Sequence, residues 1–155
     1  MDYFVTTLLP VDGEWLSIED VPLKLLDPDY IEGAIIWAVG QKAIFTPLHW
    51  DLVDQLWAYM LTGAQEVADG KSFKCYFPDQ PLRIQFDIVS NEEVRVTIGD
   101  DKTTIDKAAF FESILCGAEN CFTALHKKLP SKKRPYDHQL AAISSLRKQL
   151  GSRVQ

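Results

Sequence analysis

The sequence is short of the features that announce a chemistry. It has three cysteines, Cys75, Cys116 and Cys121, with no Cys-x-x-Cys pair. An odd number without paired spacing excludes a disulfide framework and places the chain in a reducing compartment, the cytoplasm. No apolar run approaches the ~20 residues that a spanning helix needs. The opening Met-Asp-Tyr-Phe-Val-Thr-Thr lacks the basic start of a secretory signal. Glycine-rich phosphate loops and the G-x-S-x-G nucleophile turn are missing as well. Histidine is scarce, with His49, His126 and His138 only.

What remains is the composition of a globular domain: 155 residues, 46% hydrophobic and 25% charged. One domain, 1–155, accounts for that length. The net charge of −6 hides a segregation. Residues 1–70 hold twelve acids against Lys24 and Lys42, a net of −10, whereas the chain from Lys127 onward carries eight bases and one acid, Asp137. Such separation marks either a surface that meets a charged partner or acidic loops that lie beside a basic tail and neutralise it.

Periodicity predicts an α+β fold, with an antiparallel sheet (N-terminal strands plus a meander), two long helices and a C-terminal helix packed mainly on one face. Residues 3–8 and the doubly apolar 34–39 read as strands, with a short strand near Trp15–Ile18 and another at 43–45. Thr46-Pro47 reads as a helix start. Trp50, Val53, Trp57, Met60, Leu61 and Ala64 then form one stripe at 100° per residue, and Gly70 stops the helix. Phe73/Cys75/Phe77, Ile84/Phe86/Ile88 and Val94/Val96/Ile98 are the inward sets of a three-stranded meander, and a turn at 99–102 can lead into a further short strand at 103–105. A second helix spans about 106–129. A basic linker, 131–135, leads to a last helix over about 136–150.

The titratable residues give little support to catalysis. Cys116, Cys121 and His126 stand five apart on one helix, so each step turns by about 500° and the three diverge. They share no metal ion, and neither a metal nor a cofactor is expected. Asp51 and Asp54, three apart, with His49 before them, are the nearest thing to an acid/base pair. Asp51 faces the polar side of the predicted helix and Asp54 the edge of its apolar arc. An aspartate in a first turn also complements the helix dipole, which is the blander reading. The bases from Lys127 to Arg134 resemble a nucleic-acid footprint. No recognition motif accompanies them, and a solvated tail is the preferred reading.

The acidic entry region is more suggestive. Between Asp12 and Glu32 lie seven acids and one base, with Trp15, Leu25, Leu26 and Tyr30 among them. Carboxylates steer association with a basic partner, and an aromatic anchor supplies much of the affinity. Asp27, Asp29 and Glu32, with Tyr30 as the anchor, are the candidate contact residues, and Asp51 is added to them.

Three strings support this direction: Gly33-Ala-Ile-Ile-Trp37, Trp50-Asp-Leu-Val-Asp-Gln-Leu-Trp57-Ala-Tyr-Met-Leu61 and Tyr76-Phe-Pro-Asp-Gln-Pro81. Over about residues 30–130 the layout resembles small bacterial immunity proteins, the cytosolic partners of polymorphic and contact-dependent-inhibition toxins. The resemblance implies a non-enzymatic protein that binds the toxic domain of a cognate effector, often a nuclease. Contact residues differ between such families, so none is carried over. A basic protein toxin is thus the expected partner, with no membrane, small-molecule substrate or nucleic acid.

Overall fold

The computed structural model describes residues 2–129 and 136–154, so the predicted basic linker at 131–135 lies outside the described residues. The chain is α+β, with strands β1 (Tyr3–Val11), β2 (Glu14–Ser17), β3 (Glu32–Val39), β4 (Lys42–Phe45) and β5 (Asp51–Leu52), then helix α1 (Val53–Ala68). Strands β6 (Phe73–Tyr76), β7 (Arg83–Ile88), β8 (Glu93–Ile98) and β9 (Asp101–Asp106) follow, and helices α2 (Lys107–Lys128) and α3 (Asp137–Val154) complete the order.

Where the sequence predicts one antiparallel sheet, the strands divide into two. The first has the order β2-β1-β3-β4, with β5 paired to the start of β3, and the second is the meander β6-β7-β8-β9. All pairings are antiparallel. In the chain, α1 separates the last strand of the first sheet from the first strand of the second. Both α1 and α2 pack against strands of each sheet, and α3 packs on these two helices. Side chains stitch the sheets together. The Phe45 and Phe77 rings meet edge to face at 5.7 Å, and the Lys42 ammonium donates to the Thr104 carbonyl at 2.7 Å.

The core is aromatic. Trp37, Trp57, Phe45, Phe86, Phe110 and Phe122 are all fully buried. Both buried indoles find an acceptor, as their N–H groups must in a dry interior. Trp37 Nε1 donates to Ser113 Oγ at 2.9 Å, and Trp57 Nε1 donates to Thr7 Oγ1 at 2.8 Å. These two bonds fasten α2 to β3 and α1 to β1. Cys121 is buried beside them as an inert thiol, consistent with its place on the predicted stripe.

The start of the first long helix differs from the expectation. Thr46 does cap, but it caps a single 3₁₀ turn at Pro47–His49, and α1 begins only at Val53. Thr46 Oγ1 accepts from Leu48 N at 3.3 Å, and His49 Nδ1 accepts from Thr46 N at 3.1 Å. Burial lowers the His49 imidazole below its ordinary value, opposed by the Asp101 charge, so the neutral ring accepts this bond. Residues 50–52 are therefore extended, and Asp51 pairs with Gly33 at the edge of the first sheet. Trp50, predicted to lie on the buried stripe, is instead 47% exposed.

Candidate functional site

Three segments meet where β5 joins the start of β3. The loop after residue 22 delivers Tyr30, and β3 begins with Glu32. The extended stretch 50–52 supplies Trp50 and Asp51. The turn after β6 supplies Asp79 and Gln80. Together these residues line a hollow of about 190 Å³. Tyr30 is 49% exposed, so two large aromatic rings stand open to solvent at one place, beside the carboxylates of Glu32 and Asp79. The neighbouring Glu32 carboxylate, by accepting a hydrogen bond from the phenol and by its negative charge, holds Tyr30 above its ordinary value, and Asp79 acts in the same direction.

Asp51 is placed differently from the other sequence candidates. It is 3% exposed and offers almost no contact surface, which corrects the expectation of a solvent-facing helical residue. Its Oδ1 accepts from Leu52 N at 2.7 Å, and both carboxylate oxygens accept from Asp79 N at 3.2 Å. Gln80 Nε2 donates to the Trp50 carbonyl. A buried carboxylate that accepts backbone N–H groups is paired as a buried charge must be. Asp51 thus ties the 78–81 turn to β5 and sets where Asp79 stands.

The remaining candidates are exposed at the edge of this region. Asp27 Oδ1 accepts from Asp29 N at 3.0 Å, and the Asp27 carbonyl accepts from Tyr30 N at 3.1 Å, so the Asp27–Tyr30 turn presents the tyrosine ring. Asp27 lines a second hollow beside the first, and Asp29 lines neither. The structure therefore brings Tyr30, Glu32 and Asp51 together with Trp50, Asp79 and Gln80, and leaves Asp29 outside.

The acidic loop is also anchored from behind. Lys128 at the end of α2 donates from Nζ to the carbonyls of Ile18, Glu19 and Val21, at 2.8, 2.6 and 2.7 Å. One lysine of the basic run does reach the acidic segment, but it meets backbone rather than carboxylate. Lys128→Met is expected to lower unfolding stability by about 2–3 kcal/mol, the scale of charge-assisted bonds lost from a half-buried group. A urea melt measures it, and a change below about 0.5 kcal/mol would mean that water replaces the ammonium at no cost.

The alternative acid/base group does not converge. His49 packs its ring against Phe45 and Phe77, at 5.7 and 6.3 Å between centroids. Asp54 is buried and accepts from Tyr136 Oη at 3.3 Å, in the interior between α1 and α3. Asp51 holds the 78–81 turn, so the three side chains occupy three separate environments. Among the described residues no group of three His, Cys, Asp or Glu side chains is placed to hold a metal ion. No described helix is long and apolar enough to cross a membrane.

A larger hollow of about 860 Å³ lies between α2, α3 and the β7–β8 turn. Its walls, with Phe111, Leu115 and Leu150, are mostly aliphatic and aromatic, and its rim mixes both signs of charge. Arg147 there is paired with Glu119 at 2.7 Å. Size alone does not define a ligand, whereas the smaller hollow gathers one sign of charge around open aromatic rings. A comparison with protein families, with curated proteins and with solved structures finds no match for this chain.

Proposed function

We propose that this chain is a non-enzymatic immunity protein of the cytoplasm that binds a cognate bacterial toxin domain, a basic nuclease, and neutralises it by covering its active site. The observation that carries the reading is the convergence of the Tyr30 and Trp50 rings with the Glu32 and Asp79 carboxylates at one hollow. A nuclease groove is positive because it must hold phosphates, so a surface that blocks it needs carboxylates for approach and rigid rings for affinity. Exposed aromatic rings beside two acids, one of which (Asp79) stands on a turn fixed by a buried carboxylate, supply both. Three cysteines without a disulfide suit the cytoplasm.

The test is recovery of the partner from the native cells with the tagged chain. The expected result is one basic protein in near-equal amount, toxic when expressed alone and harmless when expressed together with this chain. Charge reversal at Glu32 and Asp79, both to lysine, is expected to slow association about tenfold at low salt, with the difference shrinking as salt rises. Recovery of nothing, or of nucleic acid that leaves with salt, overturns the proposal.

A further inference from the structure

Tyr30 and Glu32 line not one hollow but two. On the side away from Trp50 and Asp79 they share a groove of about 260 Å³ with Pro10, Val11, Leu25 and Leu26. The two differ in chemistry. The first adds Trp50 and the carboxylates of Asp51 and Asp79 to the shared Tyr30 and Glu32, and the second adds Asp27 together with proline and aliphatic side chains. Neither contains a lysine or arginine. Val21, another wall of the groove, sits in the segment that Lys128 holds by its carbonyls, so that wall is in place before anything binds.

We propose that the two hollows together hold one extended segment of the protein partner, with an arginine in the acidic hollow and an aliphatic side chain two residues away in the groove. This rests on the partner-binding reading above and specifies what the surface recognises. A guanidinium is flat and presents a fork of donors, so it can lie against the Tyr30 or Trp50 ring and donate to Glu32 and Asp79 together. A lysine ammonium matches neither the stacking nor the fork. Tyr30 and Glu32 line both hollows, so the two are neighbours, and residues i and i+2 of a strand, which point to the same side about 7 Å apart, are the nearest pair that an extended segment can offer them. Leu25 lines the groove and is 52% exposed, so a side chain in the groove would cover it.

The experiment is an amide-resolved NMR titration of the full-length ¹⁵N-labelled chain with three probes: N-acetylarginine amide, the capped tripeptide Arg-Gly-Leu and the capped tripeptide Lys-Gly-Leu. The expected result is that the arginine amide shifts Tyr30, Glu32, Trp50 and Asp79, and that Arg-Gly-Leu also shifts Val11, Leu25 and Leu26. Arg-Gly-Leu should bind at least tenfold more tightly than the arginine amide and several-fold more tightly than Lys-Gly-Leu. Leu25→Asp, a surface change, should return the tripeptide to the level of the arginine amide. If Arg-Gly-Leu binds no better than the arginine amide, the two-hollow inference is overturned and the acidic hollow still stands. If the arginine amide moves none of the four residues, the inference falls together with the assignment of the contact surface.

Discussion

Alanine at Gly33 is expected to lower the unfolding free energy by about 3 kcal/mol, which for a chain of this size is a fall of roughly 6–12 °C in Tm. Gly33 is buried in β3, between Glu32 of the candidate site and the central strand pairing. A Cβ there would stand 2.4 Å from the Leu8 carbonyl oxygen and 2.6 Å from Leu9 Cδ2. The first of these is backbone, held in the β1–β3 ladder by the pairing of Leu8 with Ala34. It cannot turn aside as a side-chain end does. The added methyl must therefore push β1 and β3 apart, which weakens the sheet and displaces Glu32 and the Asp51 pairing together. Thermal unfolding checks the first effect, and binding of the partner checks the second. A Gly33→Ala protein that melts with the wild type would show that the strands can yield without loss.

Alanine at Asp51 is expected to cost about 2 kcal/mol of stability, because the buried Leu52 N–H and the part-buried Asp79 N–H lose their acceptor. The consequence for binding differs from that of a contact residue. Asp51 touches almost no solvent, so its removal acts through the 78–81 turn, which loses its tie to β5. Partner affinity should fall because Asp79 is no longer held beside Tyr30, and Asp51→Asn, which keeps one acceptor oxygen, should recover part of both losses. Equal effects of Ala and Asn on stability would show that the charge, rather than the acceptor geometry, holds the turn. A urea melt of each variant, with a calorimetric titration of the partner, separates the two.

Period and turn chemistry made much of the fold legible in the sequence. The doubly apolar run at 34–39, the inward sets of the meander and the stop at Gly70, whose φ of +81° suits glycine, all appear where expected. The division into two sheets was not legible, because alternation shows which face is buried and not which strand is the neighbour. The start of α1 was misplaced for a local reason: Thr46-Pro47 is a sound helix-start signal, and a 3₁₀ turn uses the same capping geometry. That displacement put Asp51 and Trp50 on the wrong surfaces, one predicted to be open and one predicted to be covered.

The site was half legible. Tyr30 and Glu32 stood out as an aromatic ring and an acid in a charged loop, and they do line the hollow. Asp79 and Gln80 read only as turn residues. Their partners are Asp51 and Trp50, 28 and 30 residues earlier in the chain, and no local pattern joins them. Lys128 likewise belongs to a basic run that reads as a solvated tail, while its ammonium is spent on three carbonyls more than a hundred residues away.

The central claim is that the Tyr30–Trp50 hollow is the surface that meets the partner. Its most direct test is calorimetric titration of the proposed protein partner with Tyr30→Ala, Trp50→Ala and the control Val89→Ala, an exposed aliphatic residue just beyond β7 in the other sheet. The account predicts that each aromatic variant loses about 30-fold or more in affinity, the scale of a buried aromatic anchor at about 2 kcal/mol, with unfolding midpoints unchanged and the control binding as wild type. Wild-type affinity in both aromatic variants would contradict it and place the interface elsewhere on the chain.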